Sequence, residues 1–386
     1  MRPILRAAML ALLMTMPAAA QDAMPWRLSY FPYLTGSPND GVMGMARALW
    51  FQQADYGARV TNQREVAVEA GYSTRDAWLA RADVALPMLA DGWRLRARAA
   101  VSRETNFGLS ELPDGMTPLA RDRREAWVDV TRRLTGPLHL AVRGGLDRQA
   151  IDGDAGLLLD RHPRSEIAFN NGGATGEIVQ TDATARAALV LDLRDREFDT
   201  QSGALVEAGL FTGTAGEGYT GGYALARGWV MPRRGTRLTA RAGFRAVGET
   251  DAITIVHGIP AWERPIGALG GATSHRALPA HALVGRGLLL AGAEARHTLL
   301  DVGELGAITL VAFVDAGRVF SDPSPLIDPL PGAPLPSGDL EFTLKGWTVG
   351  AGGGVAIRVL RAAQLTITAA RANDDTRWYV GSGWSW

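Results

Sequence analysis

The sequence predicts an all-β fold, a transmembrane antiparallel β-barrel of about 16 strands. Three observations lead to this fold class. Apolar and polar residues alternate with a period of two along many segments, as in strands with unlike faces. The segments are about 10 to 13 residues long, which suits a tilted membrane strand better than a strand of a soluble sheet. Short turns alternate with long polar loops, as in transmembrane barrels.

The first 20 residues have the composition of a secretory signal peptide. Two arginines precede an apolar run at 7–16, and small alanines follow it. An uncleaved membrane helix is the alternative, but the run is shorter than the roughly 20 residues that a span requires. We therefore expect residues 1–20 to be a cleaved signal peptide and residues 21–386 to form the barrel domain.

The overall composition excludes several classes of protein. Lys plus Arg and Asp plus Glu both number 40, so no net charge attracts nucleic acid. The absence of cysteine excludes a disulfide framework, cysteine-ligated metal and thiol catalysis. The 46 glycines and 11 tryptophans, with a mean hydropathy near zero, suit strands that face lipid on one side and water on the other.

The alternation is clear in the segments 93–102, 184–194 and 237–245. In the first of them, the apolar residues share one face and three arginines share the other. Those arginines need water, as in an anion-attracting pore, or acidic partners across the lumen. A soluble sandwich also alternates, so segment length and loop pattern decide for the membrane barrel.

The strand count is even, as a closed bacterial barrel requires. In chain order, the predicted strands are 26–34, 42–54, 64–73, 77–89, 92–104, 124–134, 137–148, 183–195, 204–214, 219–231, 236–248, 288–300, 305–319, 346–360, 363–374 and 377–386. The predicted long loops, all on one side of the membrane in this arrangement, are 105–123, 149–182, 249–287 and 320–345.

The chain ends in YVGSGWSW, which places Gly381, Trp384 and Trp386 in a Gly-x-x-aromatic-x-aromatic pattern. Aromatic rings at a strand end anchor it at the membrane interface. The ending resembles the signal by which outer-membrane barrels are recognised for assembly. That resemblance implies a bacterial outer-membrane protein that contacts outer-membrane lipid and, during biogenesis, the barrel assembly machinery.

The segment LDLRDREFDTQSG at 191–203 is an acidic strand end followed by a turn that closes on glycine. It is similar to a motif of the BamA/TamA superfamily, also called the bacterial surface antigen family. The matched residues are Asp192, Arg194, Asp195 and Gly203. Judged by its chemistry alone, the segment is a polar turn.

Two further stretches carry the same resemblance. Residues 268–296 look like the family's large loop, which inserts into the lumen, and the strand that follows; Arg276 matches the arginine of an Arg-Gly-aromatic tip. Ala277 and Leu278 stand where the glycine and the aromatic residue are expected. The segment FVDAGRVF at 313–320 resembles the strand that carries the acidic partner of that arginine, with Phe313, Asp315 and Gly317 matched. The resemblance implies a plug-like loop near 258–287.

The strand pattern also predicts where the acidic partners lie. Glu294 shares a face with Arg296, and Asp315 lies opposite an apolar face, so both carboxylates should point into the lumen. An inward-folded Arg276 can then make a charge-assisted contact with Asp315 or Glu294. The alternative is that Arg276 is a solvated loop charge.

Catalytic, metal and cofactor sites are not predicted. The six histidines are scattered, and the sequence lacks a Gly-x-Ser-x-Gly elbow. Ser274 beside His275 is not by itself a dyad, and His275 and His281 lack a neighbouring carboxylate pair for a metal. The glycines of GAGGGV at 350–355 indicate a bend or a close approach by another segment rather than a phosphate loop. We expect a protein that is not an enzyme.

By resemblance, the predicted function is that of a short BamA/TamA-type barrel in outer-membrane protein assembly or macromolecule translocation, with a possible client polypeptide. Family members with such activities usually carry POTRA domains ahead of the barrel, and we expect this chain to lack them. One alternative is a plugged or gated passive channel. A second is a structural surface antigen.

Overall fold

The computed structural model describes residues 25–37, 39–54, 58–105, 120–152, 178–248, 258–280, 282–283, 285–320, 347–359, 363–372 and 375–382. Sixteen β-strands occur among them. They are β1 (Arg27–Ser37), β2 (Gly41–Gln53), β3 (Asn62–Ser73), β4 (Trp78–Ala90), β5 (Trp93–Glu104), β6 (Ala120–Thr135), β7 (Leu138–Asp152), β8 (Ile178–Asp192), β9 (Gly203–Gly213), β10 (Tyr219–Arg233), β11 (Thr236–Val247), β12 (Gly287–Asp301), β13 (Gly306–Phe320), β14 (Thr348–Val359), β15 (Ala363–Ala372) and β16 (Asp375–Ser382). A single 3-10 turn, Gly303–Leu305, separates β12 from β13 in the described chain.

Each strand pairs in antiparallel fashion with its neighbours in sequence, and β16 pairs with β1, so the sheet closes into a barrel. The predicted fold class and the count of 16 are confirmed. No helix in the described residues is long and apolar enough to cross a membrane.

The outer face of the barrel is apolar and accessible. Leu210 is 73% exposed, Tyr30 72% and Leu146 60%, whereas charged side chains such as Glu207 and Arg245 are buried inside at 1%. This arrangement is the reverse of a soluble protein, in which large apolar side chains are buried and charges face water. A barrel with this exterior is built to contact lipid.

The connections differ in length between the two ends of the barrel. Tight turns after β4, β6 and β10 contain Gly92, Gly136 and Gly235, each with the positive φ that hairpin turns favour. The long connections follow β5, β7, β11 and β13, which all end at the opposite rim. We call these rims the turn end and the loop end. The prediction that the long loops share one side is confirmed.

Several strands extend further toward the loop end than predicted. β7 continues to Asp152 and β8 begins at Ile178, so the predicted loop 149–182 is too long. A polar network lies above the apolar band. On β8, Asp182 accepts hydrogen bonds from Tyr219 Oη at 2.6 Å and from the backbone N of Thr214 at 2.8 Å, and on β7, Gln149 accepts one from Arg121 at 3.4 Å. These bonds stabilise paired strands where the apolar alternation has ended.

One predicted strand end differs from the structure, and two predicted features lie partly or wholly outside the described residues. The predicted strand 183–195 ends at Asp192, so Arg194 and Asp195 belong to the turn that follows β8. Gly381 lies in β16 opposite Thr366, but Trp384 and Trp386 lie outside the described residues, as does the predicted signal peptide.

Candidate functional site: a loop folded into the lumen

The connection between β11 and β12 folds back into the barrel. We call residues 258–280 and 282–283 of this connection the lumen loop. Two isolated bridges, between Ile259 and Ile266 and between Leu269 and Leu283, give the loop its own backbone structure. Its apolar residues pack on inward residues of the barrel wall, including Phe211, Tyr223, Leu225 and Leu290. Burial of this apolar surface favours the inserted position.

Arg276 is the centre of the first attachment, which we call the Arg276 anchor. Its Nε donates to Asp315 Oδ2 at 2.7 Å and its Nη2 to Asp315 Oδ1 at 3.0 Å, a bidentate pair. Its backbone N also donates to Asp315 Oδ2, at 3.1 Å, and its Nη1 donates to Glu294. The guanidinium lies over the ring of Phe313, 3.4 Å from the centroid. The structure therefore brings together all four of these residues from three elements.

Burial makes this anchor sensitive to any change of charge. Arg276 is 2% exposed, Glu294 3% and Asp315 0%. Arg296 donates to Glu294 at 2.5 Å, and Arg241 lies 3.6 Å from Asp315, so three guanidinium groups face two carboxylates. Removing one partner from such a buried group leaves an uncompensated charge, at a cost of about 3–5 kcal/mol.

Trp262 is the centre of a second attachment, which we call the Trp262 anchor. The side chain is 2% exposed, and its Nε1 donates to Thr131 Oγ1 at 2.9 Å. The backbone N of Trp262 donates to Glu207 Oε2 at 2.7 Å. The guanidinium groups of Arg94 and Arg96 lie over the indole ring at 5.6 and 5.1 Å from the centroid, at distances typical of cation–π contacts.

The predicted strand-end motif contacts this second anchor. Arg194 forms a bidentate pair with Glu263, with Nη1–Oε2 at 2.9 Å and Nη2–Oε1 at 2.6 Å. It also donates from Nε to Asp192 Oδ1 at 2.9 Å. Burial alone would raise the pKa of Glu263, but the attraction of Arg194 and its hydrogen bonds hold that pKa below its usual range. The lumen loop thus reaches the turn end of the barrel.

The other two residues of that motif shape the turn itself. Asp195 accepts hydrogen bonds from the backbone N of Arg196 at 2.9 Å and of Gln201 at 3.1 Å. Gly203 has a φ of 115°, and a Cβ there would lie 2.3 Å from the carbonyl oxygen of Leu193. Only glycine fits this close approach.

Wall arginines also hold the main chain of the connection between β11 and β12. Their guanidinium groups donate to its carbonyl oxygens: Arg96 and Arg143 to Trp262, Arg186 to Pro260, Arg241 to Thr273 and Ser274, and Arg245 to Gly285. The inward arginines of β5 and β11 thus contact the protein rather than line an open pore. Hydrogen bonds to carbonyl oxygens depend little on the side chains of the loop.

Ala277 and Leu278, which differ from the Arg-Gly-aromatic pattern, both lie against the barrel wall. A Cβ at Gly350 would lie 2.3 Å from the Cβ of Ala277, so β14 approaches the loop closely, as the glycines of 350–355 predict. The carbonyl oxygen of Leu278 accepts a hydrogen bond from Tyr379 Oη at 2.5 Å. A Cβ at Gly317 would lie 2.2 Å from Leu269 Cδ1, which explains the glycine at that position.

Ser274 and His275 have structural contacts. Ser274 Oγ lies 2.5 Å from the carbonyl oxygen of Ala268 and 2.9 Å from that of Gly270. His275 Nε2 lies 3.2 Å from the carbonyl oxygen of Thr348, and burial lowers the pKa of this histidine. Within the described residues, no group of three or more His, Asp or Glu side chains is placed to hold a metal ion.

Sequence reasoning missed the Trp262 anchor. Asp129, which no motif singled out, pairs with three arginines: Arg186 at 2.6 Å, Arg143 at 3.2 Å and Arg96 at 3.5 Å. A single tryptophan in a long polar loop, with inward arginines on several strands, is the signal that was available. That signal does not predict which strands the tryptophan contacts.

No protein-family model and no curated protein matches this sequence. Solved structures do. BamA from Haemophilus ducreyi lacking POTRA domains 1-3 matches with a TM-score of 0.58 and 11% identity over 93% of this chain. CdiB from Escherichia coli matches with a TM-score of 0.57 and 14% identity over 94% of this chain. The fold is that of the BamA and CdiB barrels.

The resemblance to BamA/TamA barrels is therefore confirmed at the level of the fold. The chain spans 70% of the BamA structure and 63%, less than two thirds, of the CdiB structure. With its closed ring of 16 strands, the protein is an outer-membrane barrel, as predicted, and its apolar exterior suits contact with lipid.

Proposed function

We propose that this barrel acts in the assembly of outer-membrane proteins or the translocation of macromolecules, as a BamA/TamA-type protein. The observation that carries the proposal is the seam between the first and last strands, where the described residues show little regular pairing. β1 pairs with β2 along its whole length, from Arg27–Phe51 to Ser37–Gly41. Among the described residues, it shares one register pair with β16, Gly36–Val380, and β16 is described only to Ser382.

The described part of the seam is sparsely paired. Within the described residues, β1 from Arg27 to Thr35 has no register partner on β16, although Thr35 Oγ1 donates to the carbonyl oxygen of Val380 at 2.9 Å. Free N–H and C=O groups along an edge are a template for adding a strand from another chain. Pro32 in β1 is a residue that sheets accept at an edge. In this proposal, a client strand adds to the edge of β1.

The lumen loop touches both sides of the seam. The backbone N of Ala280 donates to Asn39 Oδ1 in the turn after β1, at 3.2 Å. Tyr379 of β16 donates to the loop at Leu278. A shift of the lumen loop would therefore remove contacts that hold the two edges together, which links occupancy of the lumen to opening of the wall.

The proposal is tested by locking the seam. The sequence contains no cysteine, so Gly36→Cys with Val380→Cys introduces the only disulfide, between two register partners. The purified protein is reconstituted in liposomes. A different outer-membrane barrel protein, unfolded in urea, is then added as the client. Protease protection of the client measures its insertion. We expect insertion by the wild type, loss in the oxidised variant, and recovery on reduction.

A control disulfide between Ala208→Cys and Ala224→Cys, partners in the regular pairing of β9 with β10, should leave insertion unchanged. If the wild type does not accelerate insertion, or the locked seam inserts clients normally, the proposal is wrong. Measurement of single-channel conductance then tests the passive-channel alternative. A large, steady conductance in the wild type favours a channel. A small conductance that rises after deletion of 258–287 indicates a plug. A structural surface antigen should show neither activity.

A further inference from the structure

The outer face of β6 carries an arginine at each border of its apolar stretch. Between Arg124 and Arg132 the outward residues are Ala126, Val128 and Val130. The two arginines are eight residues apart, about 26 Å at roughly 3.3 Å per residue, and the usual strand tilt reduces this to about 20 Å of height. Arg124 therefore lies near the border of the membrane's apolar core at the loop end.

Arg124 faces a second arginine. Its register partner on β7 is Arg148, and both side chains are exposed on the outer face. Like charges directly opposite each other destabilise an antiparallel pair. The flanking partners in this row, Val101 of β5 and Thr181 of β8, are uncharged. Two positive charges thus lie side by side on the outer face at the membrane border.

The described residues of the protein do not neutralise this pair. Neither Arg124 nor Arg148 makes an ion pair or a hydrogen bond within the described residues. The next outward residue of β6 toward the loop end is Asp122, whose carboxylate accepts a hydrogen bond from Arg103 at 2.8 Å. The arginines of the two anchors, in contrast, meet carboxylates or carbonyl oxygens.

We propose that Arg124 and Arg148 together bind the phosphate group of a phosphorylated lipid in the outer leaflet. Two guanidinium groups on opposed residues can converge on one phosphate with several charge-assisted hydrogen bonds. Toward the centre of the membrane, the same outer face continues with Leu146, 60% exposed, and Val128, 48% exposed, which can contact acyl chains. A soluble anion has no acyl chains to contact these apolar side chains. The choice of leaflet follows from placing the loop end outside, and it does not depend on the assembly function.

The test measures lipid retained by the full-length barrel. The protein is refolded in phosphatidylcholine nanodiscs that contain either lipid A or dephosphorylated lipid A, and bound lipid is counted by native mass spectrometry. The double variant Arg124→Gln with Arg148→Gln is compared with Arg132→Gln, at the opposite membrane border. We expect the double variant to bind lipid A at least about tenfold more weakly and Arg132→Gln to bind as the wild type does.

Stability gives a second measurement that does not need bound lipid to survive purification. In phosphatidylcholine alone, Arg148→Gln should resist urea as well as the wild type or better, because it relieves the repulsion between the two arginines. With lipid A present, the wild type should be the more stable. Equal retention of dephosphorylated lipid A, equal effects of Arg132→Gln, or displacement of lipid A by millimolar inorganic phosphate would each overturn the proposal.

Discussion

The two anchors of the lumen loop differ in how they hold it. The Arg276 anchor is concentrated in one residue, whose side chain bonds to Asp315 and Glu294 at 0% and 3% exposure. The Trp262 anchor spreads its bonds over an indole ring, backbone groups and a carboxylate that is 24% exposed, that of Glu263. A concentrated, buried anchor should fail when one residue changes, whereas a distributed anchor should weaken by degrees.

This difference suggests separate roles for the two ends of the loop. The Arg276 anchor joins the loop to β12 and β13 and lies beside Ala277 and Leu278, the residues that lead to the seam. The Trp262 anchor joins the loop to the wall of β5–β9 near the turn end. We expect loss of the first to free the segment next to the seam, and loss of the second to loosen the lumen near the turn end.

The largest effect is expected from Arg276→Glu. The variant places a third carboxylate beside Asp315 and Glu294, so it should destabilise the inserted loop by more than the about 3–5 kcal/mol of a broken buried pair. Protease cleavage within the loop and single-channel conductance should both rise. Arg234→Glu, a charge reversal in the exposed turn after β10, is the control and should change neither. Unchanged protection of the loop in Arg276→Glu would contradict the role given to this anchor.

Trp262→Ala should have the next largest effect. The cavity and the lost hydrogen bond to Thr131 should cost about 3 kcal/mol, the lower part of the range for such truncations, because the carbonyl bonds from Arg143 and Arg186 remain. Hydrogen exchange should increase at 258–267 and stay unchanged around Arg276. If both halves of the loop exchange together, the two anchors are not independent.

Gly350→Ala should have a smaller effect, one that a second substitution can reverse. The new Cβ would lie 2.3 Å from that of Ala277, a clash worth about 1–3 kcal/mol. Removing the opposing methyl in Ala277→Gly should restore much of the free energy of unfolding, as a double-mutant cycle in urea would measure. Gly228→Ala, where an added Cβ meets nothing within 4 Å, is the control. A cycle with no coupling would show that the contact is not close in solution.

The smallest effect is expected from Glu263→Gln, at about 1 kcal/mol, because this carboxylate is partly accessible. The folded pKa of Glu263 lies below its unfolded value, so its contribution is complete above the unfolded pKa and is lost as pH falls through the folded pKa. Protection of the loop should therefore differ between wild type and variant at neutral pH and converge in acid. A difference that grows on acidification would reverse this assignment.

The sequence alone determined the architecture of the wall. A period of two fixes which residues face lipid and which face the lumen, so the inward positions of Arg94, Glu294 and Asp315 follow from local alternation. Strand length and the placing of long loops then predict a barrel of 16 strands. Strand ends near Asp152 and Ile178 were placed wrongly, because polar networks between strands continue the pairing where the apolar pattern stops.

Only the tertiary structure decided what meets in the lumen. Arg276 contacts both acids rather than one, and Glu263 meets Arg194 of a turn that is 69 residues away in sequence. Such contacts depend on how far the loop descends and on which strands closure brings opposite it. The alternation along one strand predicts neither the depth of the loop nor the strands that it meets. For the same reason, the sparse pairing of β1 with β16 among the described residues becomes visible only when the ring is closed.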